Sequence, residues 1–100
     1  MDLFVYGTLL DDAVVAQLTG RRFPKQSARL GGYRKHTPAG GYPYIVPDVD
    51  GAVDGVVLSG IDDDAVRAFD EYEGHLYRRI AVTVTVGAQP HHAFVYVAAK

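Results

Sequence analysis

The alternation of apolar and polar residues along the chain predicts a protein built mostly from short strands. Residues 79–86 place Ile80 and three valines on one face and polar or small residues on the other, a period of two that is typical of a half-buried strand. Residues 92–98 follow a turn around Gly87 and Pro90 and are expected to complete a hairpin with that strand. β-Branched and aromatic runs predict further strands at residues 3–6 and 53–58.

The segment from Ala28 to Val46 gives a weaker pattern, because glycine and proline recur through it. Since both residue types interrupt regular elements, we expect brief strands joined by turns there. The Asp50-Gly51 pair is a hairpin-turn signal, and it is expected to lead into the strand at residues 53–58. The middle of the chain therefore predicts several short strands with unresolved boundaries.

A helical period predicts two helices. The first runs from about Ala13 to Leu18, with Asp11 or Asp12 as its cap and Gly20 as its end. The second runs from Asp62 to Tyr72, and its cap is Asp62. Its buried face is expected to contain Ile61, Ala65, Val66, Ala68, Phe69 and Tyr72. Its polar face is expected to contain Asp63, Asp64, Arg67, Asp70 and Glu71.

The chain length limits the number of domains. One hundred residues, 48% of them apolar, suffice for one hydrophobic core but not for two, so residues 1–100 are expected to form a single domain. Five to seven strands with two helices favour an α+β fold in which a small, strongly curved or closed sheet is flanked by helices.

Composition excludes several classes of function. The net charge of −2 offers no basic surface for nucleic acid or anionic lipid. The absence of cysteine excludes disulfides, thiolate catalysis and zinc sites built on sulfur. The amino terminus lacks the basic start of a secretory signal, and no apolar run approaches the roughly 18 residues of a membrane span. We therefore expect a cytoplasmic protein without a membrane or nucleic-acid partner.

Glu73 is a charged residue that the helical period turns toward the core. It falls between Phe69 and Val66 on the helix circumference, and it lies at the carboxyl end of the helix, where the dipole disfavours an anion. Without a compensating donor, burial and dipole would both raise its pKa, as a general acid or base near neutral pH requires. Alternatively, the helix end frays and Gly74 turns Glu73 into solvent.

The four residues Tyr6, Gly7, Thr8 and Leu9 run from the first strand into a tight turn. Gly7 can adopt backbone angles that direct successive N–H groups at one point, and such an arrangement binds carboxylates. Alternatively, Gly7 only makes the turn, and Thr8 hydrogen-bonds locally before the first helix.

Two motifs together resemble the gamma-glutamylcyclotransferase-like family, and the resemblance spans nearly the whole chain. YGTLL at Tyr6 to Leu10 is similar to the substrate-binding turn of the family, and EGHLYRR at Glu73 to Arg79 is similar to its E-G-x-x-Y-x-R segment. Two other segments resemble the family more loosely and have no known chemical role. They are LGGYR at Leu30 to Arg34 and YPYIVP at Tyr42 to Pro47.

The resemblance implies a small mixed β-barrel with flanking helices. It implies cleavage of a γ-glutamyl amine by attack of the substrate's own α-amine, which releases 5-oxoproline and a free amine without a cofactor. Glu73 would be the catalytic acid and base, and the backbone from Tyr6 to Leu9 would hold the glutamyl portion. The identity of the amine, the oligomeric state and the roles of the Ala28 to Pro47 loops stay open.

Other residues and functions remain as alternatives. Tyr77 and Tyr96 could line the cavity or serve packing, and Arg79 could orient a carboxylate or form a surface ion pair. The four histidines lack the spacing of a metal site, and Asp70 with Glu73 is disfavoured as an acid pair because the helical period separates them. The rival functions are a non-catalytic module that binds a γ-glutamyl-like molecule and a small oligomerising β-protein.

Overall fold

The computed structural model describes residues 1–99 of the chain. The strands are β1 (Leu3–Val5), β2 (Lys25–His36), β3 (Tyr44–Leu58), β4 (Tyr77–Val86) and β5 (Gln89–Ala98). The helices are α1 (Asp12–Thr19) and α2 (Asp63–Glu73), and two short 3-10 turns cover Thr8–Leu10 and Gly74–Leu76. Neither α-helix within these residues has the length and apolar character needed to cross a membrane.

The five strands form a closed barrel in the order β1-β3-β2-β4-β5. All neighbouring pairs are antiparallel except β1 and β5, which run parallel and close the barrel. The two helices flank this sheet and contact each other. The predicted α+β fold, a small mixed β-barrel with two flanking helices, is therefore confirmed.

The prediction of brief strands between Ala28 and Val46 is wrong, because β2 and β3 are long partners that pair along most of their length. Their register shifts between Gly31 and Tyr33, and Gly32 has a φ of 85°. Glycine adopts this left-handed conformation without steric cost, so β2 continues through Gly32 at the β-bulge and does not end there.

The Asp50-Gly51 pair likewise does not reverse the chain. It lies within β3. The register pairs residue 31 with residue 52 and residue 33 with residue 47. Residues 48–51 of β3 therefore lie opposite the single residue Gly32 of β2. The hairpin between β4 and β5 is confirmed, but its turn comprises only residues 87–88, and Pro90 lies inside β5.

The core has two layers that share β1. Phe4 and Tyr6 point into the barrel, whereas Leu3 and Val5 pack on the helix side with Phe69. Both faces of β1 are therefore buried, which explains why this strand is apolar without alternation. The shared strand fixes the barrel and the helices relative to one another at the place where β1 ends.

Capping sets the ends of α2 as the sequence predicts. The Asp62 side chain accepts a hydrogen bond from the Ala65 amide at 3.0 Å, and Gly74 is the C-cap that follows the last helical residue. The predicted buried face is confirmed at Ile61, Ala65, Val66 and Phe69. Ala68 is only half-buried, and the prediction is wrong for Tyr72, which is 42% exposed. The last turn of α2 brings this ring to Thr8, which its hydroxyl contacts.

Candidate active site

A cavity of about 260 Å³ lies where the end of β1, the first 3-10 turn, the end of α2 and the start of β4 meet. Its walls are mostly aromatic and apolar. The lining residues are Phe4, Val5, Tyr6, Gly7, Thr8, Leu9, Tyr42, Pro43, Tyr72, Glu73, Leu76, Tyr77 and Tyr96. Among the described residues that line it, Glu73 alone carries a charge.

Glu73 is the last residue of α2, and its side chain is half-buried against this cavity. Within residues 1–99, its carboxylate has no ion-pair or hydrogen-bond partner among the side-chain contacts. Burial raises the pKa of Glu73 from 4.5 to about 7. The carboxyl end of the helix dipole acts in the same direction. A carboxyl group with this pKa can both accept and donate a proton near neutral pH.

The turn after β1 forms another part of the cavity wall. The Leu10 amide donates to the Gly7 carbonyl at 3.0 Å, and the Asp11 amide donates to the Thr8 carbonyl at 3.2 Å. The N–H groups that begin such a turn have no partner inside it, and those of Thr8 and Leu9 are the groups in this position. The Leu9 side chain is buried in the helix-side core and anchors the turn.

Gly7 is required by a close approach to the loop before β3. Its φ is −135°, which is not the left-handed region. A Cβ atom at Gly7 would lie 3.1 Å from Cγ of Pro43, tighter than ordinary van der Waals contact. The absence of a side chain therefore lets the turn and Pro43 form adjacent parts of the cavity wall.

Two tyrosine hydroxyls join parts of the site that are distant in sequence. The Tyr72 hydroxyl donates to Oγ1 of Thr8 at 3.2 Å, which connects the end of α2 to the turn after β1. The Tyr77 hydroxyl donates to the Pro43 carbonyl at 3.1 Å, which connects the start of β4 to the loop before β3. These bonds join parts of the cavity wall to which Glu73 also belongs.

A series of hydrogen bonds connects two of the lining tyrosines to α2 and β4. The Tyr6 hydroxyl donates to the Tyr96 carbonyl at 2.8 Å, and the Tyr96 hydroxyl donates to Oδ1 of Asp70 at 2.6 Å. Nε and Nη2 of Arg79 each donate to a different oxygen of Asp70 at 3.1 Å. These Arg79 bonds hold the pKa of Asp70 below its ordinary value. Burial raises the pKa values of Tyr6 and Tyr96.

This chain of contacts changes two sequence expectations. Asp70 does not only face solvent, because the outward side of α2 passes beside β4 and β5 and meets Arg79 there. Arg79 is absent from the cavity wall, because its guanidinium pairs with Asp70 and lies over the Phe94 ring at 5.4 Å. Tyr77 and Tyr96 do line the cavity.

The structure thus brings Glu73, Tyr77 and Tyr96 to the same cavity as the turn from Tyr6 to Leu9. Sequence reasoning missed six further lining residues, namely Phe4, Val5, Tyr42, Pro43, Tyr72 and Leu76. The YPYIVP segment contained the signal for Tyr42 and Pro43, but no pattern connected it to the turn after β1. In residues 1–99 no group of three or more histidine, aspartate or glutamate side chains could hold a metal ion.

Comparison with known proteins identifies the family of the chain. The family model described as "Gamma-glutamyl cyclotransferase, AIG2-like" matches residues 3–100. The chain belongs to this family. The resemblance drawn from YGTLL and EGHLYRR is therefore confirmed.

Members of the family in Arabidopsis thaliana are similar to the chain over most of its length. AIG2-like protein C is 44% identical over 84 residues, which are 83% of this chain and 49% of that protein. Protein AIG2 C is 38% identical over 84 residues, which are 83% of this chain and 51% of that protein. The chain spans about half the length of the curated relatives it matches.

Solved structures share the family fold. The solution structure of an Arabidopsis thaliana protein superimposes with a TM-score of 0.89 at 30% identity, over 97% of this chain and 67% of that one. The structure of a gamma-glutamyl cyclotransferase superimposes with a TM-score of 0.77 at 19% identity, over 98% of this chain and 66% of that one. At 19% identity, the second likeness shows the fold alone.

Proposed function

We propose that this chain is a gamma-glutamylcyclotransferase-type enzyme that converts a γ-glutamyl amine into 5-oxoproline and a free amine. The observation that carries the proposal is the Glu73 carboxyl group, which lies unpaired and half-buried in a cavity that Thr8 and Leu9 also line. Membership of the family supports the same reaction class. The proposed catalytic unit is a single domain of residues 1–100.

The first step makes the substrate nucleophilic. The α-amine of a γ-glutamyl compound is protonated near neutral pH and cannot attack in that form. Glu73 accepts one proton from this ammonium group. The freed lone pair of the nitrogen then forms a bond to the γ-carbonyl carbon and closes a five-membered ring. The carbonyl oxygen takes up the electron pair of its double bond.

The second step breaks the original amide. Glu73, now protonated, donates its proton to the nitrogen of the departing amine. The oxyanion re-forms the carbonyl, the bond between carbon and that nitrogen breaks, and 5-oxoproline and the amine result. The proton that the nitrogen nucleophile still carries leaves with solvent. One carboxyl group serves both transfers, and a pKa of about 7 suits both.

Positioning accounts for the rest of the proposed catalysis. The amides of Thr8 and Leu9 would bind either the substrate α-carboxylate or the developing oxyanion. The aromatic walls would fold the substrate so that amine and carbonyl meet, and such intramolecular alignment is worth about 7 to 11 kcal/mol in favourable cases. The nucleophile is the substrate's own amine, so the proposed reaction draws on no protein nucleophile and no cofactor.

The test is turnover of a panel of γ-glutamyl amines, measured as 5-oxoproline formed by the purified protein. We expect Glu73→Gln to reduce kcat by at least about 100-fold, because it removes the group that transfers both protons. Glu71→Gln is the matched control, since Glu71 is exposed two residues earlier on the same helix. It should keep wild-type turnover.

Two results would contradict the proposal. An active wild-type protein that is unaffected by Glu73→Gln would remove Glu73 from the mechanism. Saturable binding of a γ-glutamyl amine without any product would favour the rival function, a non-catalytic binding module with the same cavity. The cytoplasmic location stays a prediction.

A further inference from the structure

One cationic side chain next to the cavity has no carboxylate partner. Within residues 1–99, every lysine and arginine side chain except Lys35 and Arg78 forms an ion pair. Nζ of Lys35 donates to the Tyr6 carbonyl at 3.5 Å. Tyr6 begins the turn that lines the cavity, and Lys35 itself is not among the lining residues, so the charge of Lys35 lies beside the backbone of the cavity wall.

The register shift between Gly31 and Tyr33 explains why Lys35 is on this side of the sheet. Before the bulge, Ala28 and Leu30 point into the barrel. After the register shift, Tyr33 packs against the same interior cluster. Since strand residues alternate between faces, Lys35 shares the inward face with Tyr33. Without the shift, positions 34 and 36 would continue the inward face and Lys35 would point outward.

The charge of Lys35 is not used to ionise Glu73. Burial is the cause of the raised pKa of Glu73, and a cation close enough to stabilise the carboxylate would lower that pKa instead. Lys35 is also exposed, so a carboxylate group that enters from solvent can reach it. The neighbouring cation, Arg34, lies beside Asp48 at 3.7 Å and is already occupied.

We infer that Lys35 binds a carboxylate of the substrate at the cavity, and that the bulge at Gly31–Gly32 places it there. This inference rests on the proposed function and specifies its substrate. The carboxylate has two possible sources: the α-carboxylate of the γ-glutamyl portion, which every such substrate carries, or a carboxylate on the departing amine. The contact of Lys35 with the backbone of Tyr6 favours the first source.

Calorimetric titration in a Glu73→Gln background measures binding separately from turnover. The probes are γ-glutamylmethylamide, which has only the α-carboxylate, γ-glutamylglycine, which has a second carboxylate on the amine, and the α-carboxamide of γ-glutamylmethylamide, which has none. Lys35→Gln removes the charge, and Lys35→Arg retains it. Arg34→Gln is the matched control, because it removes the adjacent cation from the opposite face. Thermal unfolding of each variant checks that it is folded.

We expect Lys35→Gln to weaken binding of both carboxylate probes by about 10-fold, the usual scale for one charge-assisted hydrogen bond. Lys35→Arg should restore most of this affinity, and Arg34→Gln should change it less than twofold. Weakening confined to γ-glutamylglycine would assign Lys35 to the amine's carboxylate. The carboxamide should bind equally well to the proteins with and without Lys35.

The inference is overturned if Lys35→Gln leaves the affinity for every probe within about twofold, or if it weakens the carboxamide as much as the others. Failure of the proposed function looks different, because wild-type protein would then bind the probes without forming 5-oxoproline. Binding that depends on Lys35 would survive that result. If no probe binds any of the proteins, both the inference and the proposed function fall.

Discussion

The half-buried carboxyl group of Glu73 should make the stability of the fold depend on pH. Burial raises the pKa of Glu73 from 4.5 to about 7, so the native state binds a proton in a pH range where the unfolded chain has released it. By proton linkage, the stability that the neutral carboxyl group allows is fully present below about pH 4.5. It is lost as the pH rises through about 7.

The magnitude follows from the size of the change. A rise from 4.5 to about 7, at about 1.4 kcal/mol for each pKa unit, sets an upper bound of about 3 kcal/mol. Because the side chain keeps contact with solvent, screening reduces this value, and we expect a loss of about 1 to 2 kcal/mol between about pH 4.5 and 8. Glutamine has no charge to bury, so Glu73→Gln should not show this loss.

The assay is urea unfolding of wild-type and Glu73→Gln protein at intervals from about pH 5 to about pH 8. The difference in unfolding free energy between the two proteins isolates residue 73, since all other titrating groups are common to both. We expect Glu73→Gln to gain about 1 to 2 kcal/mol relative to wild type across this range. Glu71→Gln, on the exposed face, should track wild type.

A constant difference between wild type and Glu73→Gln across that pH range would refute the reasoning. It would mean that Glu73 titrates alike in the folded and unfolded chains, and the carboxyl group would then be solvated or paired. A difference that grows in the opposite direction would mean that a cation stabilises the carboxylate. Either result would also remove the physical basis for Glu73 as a proton acceptor near neutral pH.

Two further substitutions distinguish residues that shape the cavity wall from residues that only stabilise the fold outside it. Gly7→Ala should raise KM at least about threefold while the protein stays folded, because its Cβ would lie 3.1 Å from Pro43 Cγ and shift the cavity wall. Steady-state kinetics measures KM, and thermal unfolding checks the fold. Arg79→Gln should cost about 1 kcal/mol of stability, because it removes two hydrogen bonds to Asp70. It should leave KM within about twofold, since Arg79 does not line the cavity. Denaturant unfolding measures the stability, and steady-state kinetics measures KM.

Local signals were sufficient where each residue's role depends on its near neighbours. The strict alternation of β4 and the cap of α2 at Asp62 predicted those elements to within two residues. The long strands β2 and β3 could not be predicted in this way. Their extent depends on pairing between residues up to 33 positions apart, such as Lys25 and Leu58, and this pairing overrides the local preference of glycine for turns.

The candidate site shows the same division between local and distant information. The helical period turned Tyr72 and Glu73 alike toward the core, although Tyr72 is 42% exposed and Glu73 is half-buried. A period cannot separate them because it assumes that the core extends along the whole helix, whereas the last turn of α2 reaches the cavity. The inward position of Lys35 was equally hidden, since counting alternate residues gives the wrong face across an unrecognised bulge.

An unpaired, half-buried carboxyl group disfavours the folded state near neutral pH, so other contacts must hold the cavity around it. The hydroxyls of Tyr72 and Tyr77 do so by bonding across its walls, and the Tyr6 hydroxyl bonds to the strand behind it. None of these bonds involves the Glu73 carboxyl group. The geometry around residue 73 should therefore persist without its charge, and we expect Glu73→Gln to remove the proposed proton transfers while the cavity and its proposed affinity for a γ-glutamyl amine remain.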